Sequence, residues 1–309
     1  MRQGGAPPTG KWVGNPQGGV KEPEALILPD PATRFAKSAA RLAVLSEGHP
    51  MAAWLRFMAD LARAQDVASM TLEQFASPEQ SQIDRAVAAR TPPIAPDRYR
   101  RDPAWRKGLA LILDSVACGA PPDRVADSID ELRNRKDDAI EALADGFLSG
   151  SINLGEVRAV LFIAAALQVY FTRVAAGLDV TTLRLLPERG LCPCCGSTPI
   201  AGLVTASGQV PGTRYLYCSL CSMAWNHVRA VCITCGDSRT LSLKGIEGDS
   251  GVANAETCDA CHTYAKMFYQ AKDMQVDTYA DDLATLGLDI VVAEAGWARH
   301  APNPLLLVG

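Results

Sequence analysis

Cys192-Pro193-Cys194-Cys195-Gly196 begins a series of four CxxC motifs, which continues with Cys218-Ser219-Leu220-Cys221, Cys232-Ile233-Thr234-Cys235-Gly236 and Cys258-Asp259-Ala260-Cys261. The first two motifs recur 40 positions later as the last two, so the unit C-x2-C-x22-C-x2-C occurs twice. Four thiols in two pairs match the tetrahedral ligand set of a closed zinc or iron site. The repeat therefore predicts two metal ions, held by Cys192, Cys195, Cys218, Cys221, Cys232, Cys235, Cys258 and Cys261.

The four motifs can be joined in two ways. A duplicated unit should carry a complete site, which favours joining the first motif to the second and the third to the fourth. The alternative joins the two inner motifs, which lie ten residues apart, and leaves the outer motifs together. The metal stays open between iron and zinc, because four sulfurs suit both ions. A closed site offers no free coordination position, which disfavours hydrolytic metal catalysis.

Glycine follows the second cysteine in the first and third motifs, as Gly196 and Gly236. A positive φ at this position lets backbone N–H groups point at sulfur, which is typical of rubredoxin-type or zinc-ribbon knuckles. The second and fourth motifs lack this glycine and are expected to form less regular knuckles.

Two thiols lie outside the ligand set. Cys194 is expected to be packed or exposed, with thiol exchange as the alternative. Cys118, on the flank of a helix, is expected to be an inert buried residue. His227 and His262 lie near the motifs, but each site already has four sulfurs, so we expect neither histidine to be a ligand.

The overall composition favours a cytoplasmic protein. Only 10 of the 309 residues are cysteine, far fewer than in a disulfide-stapled secreted domain. Redox dithiols remain the alternative, but such a motif is expected as one pair near a βαβ pattern. Residues 1–19 are rich in glycine and proline without an apolar core, so they predict a loose tail rather than a signal peptide.

The first 185 residues predict helices. Asp30-Pro31, His49-Pro50 and Asp102-Pro103 have the pattern of helix starts, and further helices are expected at 135–148 and 156–176. The last of these is apolar on nearly every face. Its apolar run is too short to span a bilayer and predicts the central helix of a bundle.

After Pro187 the pattern changes to short β-rich pieces between the cysteines, at 214–217, 228–231, 241–243 and 266–269. Beyond Asp277 a helical period returns, with one apolar face formed by Tyr279, Leu283, Leu286, Ile290 and Ala293. The acidic residues beside this face are expected to be solvated: Asp281, Asp282, Asp289 and Glu294.

These patterns predict an α+β chain: an N-terminal all-α helical bundle, two tandem rubredoxin-like or zinc-ribbon metal modules, and a C-terminal helix. The expected boundaries are a flexible tail at 1–25, the bundle at 26–186, the modules at 187–230 and 231–272, and the C-terminal helix and tail at 273–309.

The charge pattern disfavours nucleic acid as a partner. The formal net charge is −4, and eight thiolates holding two divalent ions add about −4 more. Residues 186–272 contain seven basic and six acidic residues without a basic cluster, whereas a nucleic-acid module should show a basic stripe. No catalytic triad, phosphate loop or acid–base pair stands out, so we expect no enzyme and no membrane insertion.

Over nearly its whole length the chain resembles the FdhE family of formate dehydrogenase accessory proteins. The resemblance lies in Leu28-Pro29-Asp30, the His49-Pro50 helix start, the cysteine frame with Trp225 and Arg229, the segment Asp281-Asp282-Leu283-Ala284-Thr285-Leu286, and Pro302-Asn303-Pro304. It implies a cytoplasmic helper that contacts the catalytic subunit of a respiratory formate dehydrogenase. It also implies rubredoxin-like modules that bind iron through these eight cysteines.

An assembly factor is therefore the leading hypothesis, with metal-stapled knuckles presenting a surface to an immature partner. Leu220, Trp225, His227 and Arg229 are the candidate contacts, because aromatic and arginine side chains are favoured anchors. Trp225 could equally pack in the small core beneath the metal. The alternative function is rubredoxin-like electron transfer to a redox enzyme under assembly.

Overall fold

The computed structural model describes residues 22–306, so most of the predicted flexible tail lies outside the described residues. The helices of this part of the chain are α1 (Arg34–Leu45), α2 (Ala52–Thr71), α3 (Gln80–Ala88), α4 (Trp105–Cys118), α5 (Asp123–Arg133), α6 (Asp137–Ser149), α7 (Val157–Ala176), α8 (Ala280–Ala284) and α9 (Leu286–Glu294). The first seven form the helical part, as predicted. A short 3₁₀ turn, Leu154–Glu156, leads into α7.

At the predicted helix starts, side-chain hydrogen bonds form the turns that lead into the helices. Asp30 Oδ1 accepts a hydrogen bond from Ala32 N at 3.1 Å, and Asp102 Oδ1 accepts one from Ala104 N at 2.8 Å. Just before α2, His49 Nδ1 accepts a hydrogen bond from Met51 N at 3.0 Å. These contacts fix the turn that precedes each helix.

Helix α7 is the centre of the helical part, because α2, α4, α5 and α6 all pack against it. It belongs to the segment Leu154–Ala176, which is the one described stretch long and apolar enough to cross a membrane. However, 83% of its most apolar window is buried inside the protein. Other parts of the protein therefore pack against α7 on nearly all sides, as expected of a central helix.

One mixed sheet follows the helices. Its strands are β1 (Leu26–Ile27), β2 (Pro199–Val204), β3 (Arg214–Cys218), β4 (Ala224–Asn226), β5 (Leu241–Lys244), β6 (Ala253–Cys258), β7 (Thr263–Tyr269) and β8 (Ala298–Arg299). The strand order is β1-β4-β3-β2-β7-β6-β5, and β8 also pairs with β7. Each repeat unit supplies three antiparallel strands, and the two halves meet where β2 pairs in parallel with β7.

The sheet corrects two details of the sequence interpretation. The predicted strand at 228–231 is wrong, because this segment turns around the buried guanidinium of Arg214. Arg214 Nη2 donates hydrogen bonds to the carbonyl oxygens of Val228 and Val231 at 2.6 and 2.7 Å. In addition, Leu26–Ile27 forms an edge strand against β4, although strand signals were almost absent from the helical part. The predicted boundary between the two modules falls inside a continuous sheet, and the predicted domain boundaries stay predictions.

The C-terminal helix is also different from expectation. It is divided into α8 and α9 at Thr285, and three of its four acidic residues are buried, whereas Glu294 is exposed as expected. Asp281, Asp282 and Asp289 are 3%, 0% and 8% exposed. Each carboxylate is buried because a cation from another part of the chain lies beside it.

Asp281 and Asp282 attach α8 to two different parts of the protein. Arg41 in α1 donates two hydrogen bonds to the carboxylate of Asp281, at 2.7 and 2.9 Å. Asp282 lies 3.3 Å from the Nζ of Lys266 in β7 and also pairs with Arg299 in β8. The adjacent carboxylates therefore connect the helical part on one side and the sheet on the other.

Lys266 and Asp282 are both fully buried, and Asp289 also contacts Lys266, at 2.5 Å. Burial acts to raise the pKa of Asp282, but Lys266 and Arg299 hold it below its usual value. A buried charge of this kind depends on all of its partners, since an unpaired ion in the interior is costly.

We expect Asp282→Asn to lower the free energy of unfolding by about 3 kcal/mol, because the fully buried Lys266 and the partly buried Arg299 lose one of their two anions and keep only Asp289. Urea unfolding followed by circular dichroism measures this loss. The matched control is Asp114→Asn, which removes a pair with Arg133 whose side chains are 66% and 41% exposed, and which should cost less than about 1 kcal/mol. Equal effects of the two substitutions would contradict the role of the buried network.

Candidate metal centres

The structure brings the cysteines together in two groups of four. One group contains the first and second motifs and the other contains the third and fourth, which is the joining that the repeat favoured. Within each group all four sulfurs lie within 4.8 Å of one another. The groups are called site 1 (Cys192, Cys195, Cys218 and Cys221) and site 2 (Cys232, Cys235, Cys258 and Cys261).

The sulfur positions fit a tetrahedral ion. A zinc–sulfur bond of about 2.3 Å places the sulfurs of a regular tetrahedron about 3.8 Å apart. In site 1 the Cys192–Cys221 and Cys195–Cys218 sulfur distances are 3.5 and 3.4 Å. In site 2 the equivalent distances are both 3.7 Å. Both donor sets can therefore hold one zinc or iron ion each, and the distances do not distinguish the two metals.

The two sites repeat each other in backbone detail. Cys192 N donates to Ser197 O at 2.9 Å in site 1, and Cys232 N donates to Asp237 O at 2.8 Å in site 2. In both sites the two ligand pairs come from a loop before a strand and from the turn of the following hairpin. The sequence repeat is thus a structural repeat.

All four knuckles have the same backbone conformation after their second cysteine. Gly196 and Gly236 have φ of 79° and 76°, as predicted. Ser222 and His262 occupy the same position in the other two knuckles, with φ of 60° and 53°. The expectation that these knuckles are less regular is therefore wrong, because the metal-binding turn imposes a left-handed conformation even where it is unfavourable for a side chain.

Site 1 lies in the main hydrophobic core. Its four cysteines are at most 1% exposed, and they belong to the same buried cluster as the residues of α2, α4 and α7. Burial raises the pKa of the Cys192 thiol well above its usual value. A thiol in this position needs a compensating cation before it ionises, so metal binding and packing depend on each other here.

The helices hold the knuckle 218–222 by polar contacts. Gln168, the one interruption of the apolar run in α7, donates from Nε2 to the carbonyl oxygen of Ser219 at 2.8 Å. Thr172 in α7 and Arg34 in α1 both reach the hydroxyl of Ser222, at 3.0 and 3.1 Å. The sequence analysis did not predict these contacts. Gln168, a polar residue within the apolar run of α7, was the one feature that could have indicated a buried hydrogen bond here.

Two further hydrogen bonds connect the knuckles of site 1 to distant parts of the chain. The carbonyl oxygen of Cys194 accepts a hydrogen bond from Ile94 N at 3.1 Å, and the hydroxyl of Tyr279 donates to the carbonyl oxygen of Cys218 at 3.0 Å. Cys194 is fully buried, in agreement with a packed thiol. Cys118 is exposed, however, so its predicted burial is wrong.

Site 2 is more open. Cys258 and Cys232 are 0% and 5% exposed, whereas Cys261 is half-buried and Cys235 is exposed. The hydroxyl of Thr263 lies 3.1 Å from the sulfur of Cys261 and that of Thr240 lies 3.6 Å from the sulfur of Cys258. Thr234 N donates to the sulfur of Cys232 at 3.4 Å, and an N–H donor of this kind stabilises thiolate charge.

The proposed partner contacts are mostly internal in this chain. Leu220, Trp225 and His227 are 3%, 0% and 5% exposed, and Trp225 Nε1 donates to the carbonyl oxygen of Arg189 at 2.9 Å. Trp225 thus packs in the core, which is the second of the two roles considered for it. Arg229 is exposed, next to Val228, which is 63% exposed.

Neither histidine belongs to a four-cysteine group among the described residues. His262 is exposed, whereas His227 lies beside Arg214, whose Nη2 is 2.6 Å from its Nδ1. The same Nδ1 also lies 2.9 Å from the carbonyl oxygen of Val228. Burial and the neighbouring positive charge lower the pKa of His227 to about 4.

We expect His227 to reduce stability as the pH falls from 6.5 towards about 4. In this window the unfolded state binds the proton and the folded state does not, so unfolding becomes more favourable. Urea unfolding of the metal-loaded protein at several pH values, with His227→Gln as the control, isolates this contribution from thiolate protonation. A titration of the His227 ring near pH 6.5 in the folded protein would contradict its buried, neutral state.

Three family models together cover the described chain. They are FdhE, N-terminal, over residues 23–187, FdhE, central domain, over residues 191–229, and FdhE, C-terminal domain, over residues 230–306.

Curated relatives and a solved structure agree with these models. A protein FdhE homolog of Pseudomonas aeruginosa is 36% identical over 283 residues, covering 89% of this chain and 90% of that protein. One of Edwardsiella ictaluri is 38% identical over 290 residues, covering 92% of each. The crystal structure of the FdhE protein from Pseudomonas aeruginosa matches with a TM-score of 0.80 and 34% identity, over 93% of this chain and 100% of that one. These matches confirm the resemblance and the α+β architecture: the chain belongs to the FdhE family.

Proposed function

We propose that this protein is a cytoplasmic accessory factor that binds the catalytic subunit of a respiratory formate dehydrogenase and is needed for the activity of that enzyme. Membership of the FdhE family is the observation that carries this proposal. The two four-cysteine groups support it, because closed sites of this kind shape a protein surface rather than present an ion to a substrate. We further propose that the protein acts without catalysing a reaction.

The exposed turn at Val228 and Arg229 is the contact surface we propose for the catalytic subunit. It follows Trp225 and His227, whose burial fixes the backbone on which the turn stands. Val228 offers an exposed apolar side chain, and Arg229 offers a positively charged guanidinium group. Such a combination is typical of interface anchors. The turn lies directly before the first cysteine of site 2 in the sequence, so metal binding at site 2 helps to hold its shape.

Co-expression of the tagged full chain with the catalytic subunit tests this function. We expect the catalytic subunit to be retained, and Arg229→Glu to weaken its binding by at least about tenfold, or about 1.4 kcal/mol. Arg133→Glu is the matched control, since Arg133 is an exposed arginine of α5. No retention by the wild type would contradict the proposed function, whereas full retention by Arg229→Glu would contradict only the proposed surface.

Rubredoxin-like electron transfer is the second candidate. The exposure of Cys235 favours it, because a sulfur ligand at the surface brings an iron ion within reach of a redox partner. Protein prepared without oxygen should then contain iron and show a reversible one-electron wave by protein-film voltammetry. Zinc alone in such preparations would rule this candidate out.

A further inference from the structure

The two sites have the same ligands and the same backbone, yet they differ in their surroundings. Among the described residues, the cysteines of site 1 belong to the main core cluster, whereas those of site 2 belong to neither hydrophobic cluster. Loss of the ion from site 1 would leave four thiols inside the core. Loss of the ion from site 2 would affect thiols at the margin of the sheet.

A groove of about 470 Å³ opens beside site 2. Cys232 and Cys235 lie in its wall, together with the segments 187–191 and 227–228 and with His300. A molecule in this groove would therefore lie against two of the four cysteines of site 2, of which Cys235 is exposed. Site 1 has no such approach, since none of its four cysteines is more than 1% exposed.

We propose that site 2 is an exchange site, at which a metal ion passes to or from a thiol-bearing molecule in the groove, whereas site 1 holds its ion permanently. This inference does not depend on which protein the chain binds. It requires only that ligand exchange at a filled site begins with an incoming donor reaching the ion from outside.

The first exchange step is a substitution between thiolates. With an ion held by site 2, the incoming thiol would lose its proton and its sulfur would replace that of Cys235 as the fourth ligand. The released sulfur of Cys235 keeps its electron pair and takes up the proton, so the charge is unchanged and no oxidant or reductant is needed. Cys235 is the residue that leaves first, because it is the exposed ligand.

Alkylation of the zinc-loaded full chain with iodoacetamide, followed by mass spectrometry of each cysteine, tests the inference. Cys118 is exposed and free of both sites, so it provides an internal reference for unhindered reaction. We expect Cys118 to react first, then Cys235 and Cys261, and the cysteines of site 1 at least about tenfold more slowly than those of site 2. Equal rates in the two sites, or faster reaction in site 1, would overturn the proposal.

Zinc transfer to a chromogenic chelator gives a second, independent measurement. The wild type should release one equivalent rapidly and the other at least about tenfold more slowly. Cys261→Ser should lose the rapid equivalent and keep the slow one with its helical circular dichroism, whereas Cys221→Ser, the equivalent change in site 1, should lose the slow one and part of its helicity. A single phase containing both equivalents in the wild type overturns the proposal, whether or not the variants fold.

Discussion

The convergence of four buried thiols in site 1, a donor set that can hold one metal ion, is the constraint on which the rest of the structure depends. Their sulfurs lie as close as 3.4 and 3.5 Å in the core of the protein, surrounded by the apolar side chains of the helices. Thiolates at this density repel one another and are poorly solvated, so a cation must compensate them. Site 1 is therefore part of the core as well as a donor set for a metal ion.

The contacts around site 1 explain how helices and sheet become one structure. Gln168, Thr172 and Arg34 reach the knuckle 218–222 from two helices, and Tyr279 reaches it from the residue before α8. The adjacent carboxylates Asp281 and Asp282 then connect α8 to α1 and to the sheet. The helices and the sheet are thus joined through the same buried polar groups.

Site 2 uses the same repeat in a different setting. Its strands continue the sheet of the first unit through the parallel pairing of β2 with β7, but its cysteines lie outside the hydrophobic clusters. One duplicated sequence thus produces a sealed site and an accessible one. The accessible site lies beside the exposed turn at Val228 and Arg229, which places the proposed contact surface next to the proposed site of exchange.

The sequence by itself determined the two ligand sets, the order of helices before metal-stapled strands, most helix starts and the central position of α7, because cysteine spacing, capping residues and apolar period are local properties. Only the tertiary structure decided which charges are buried. Asp282 and Lys266 are 16 positions apart in the sequence and fully buried together, and no local pattern reveals such a pair. The difference between the sites was likewise hidden, since the packing of distant helices, and not the repeat, buries site 1 and leaves Cys235 exposed.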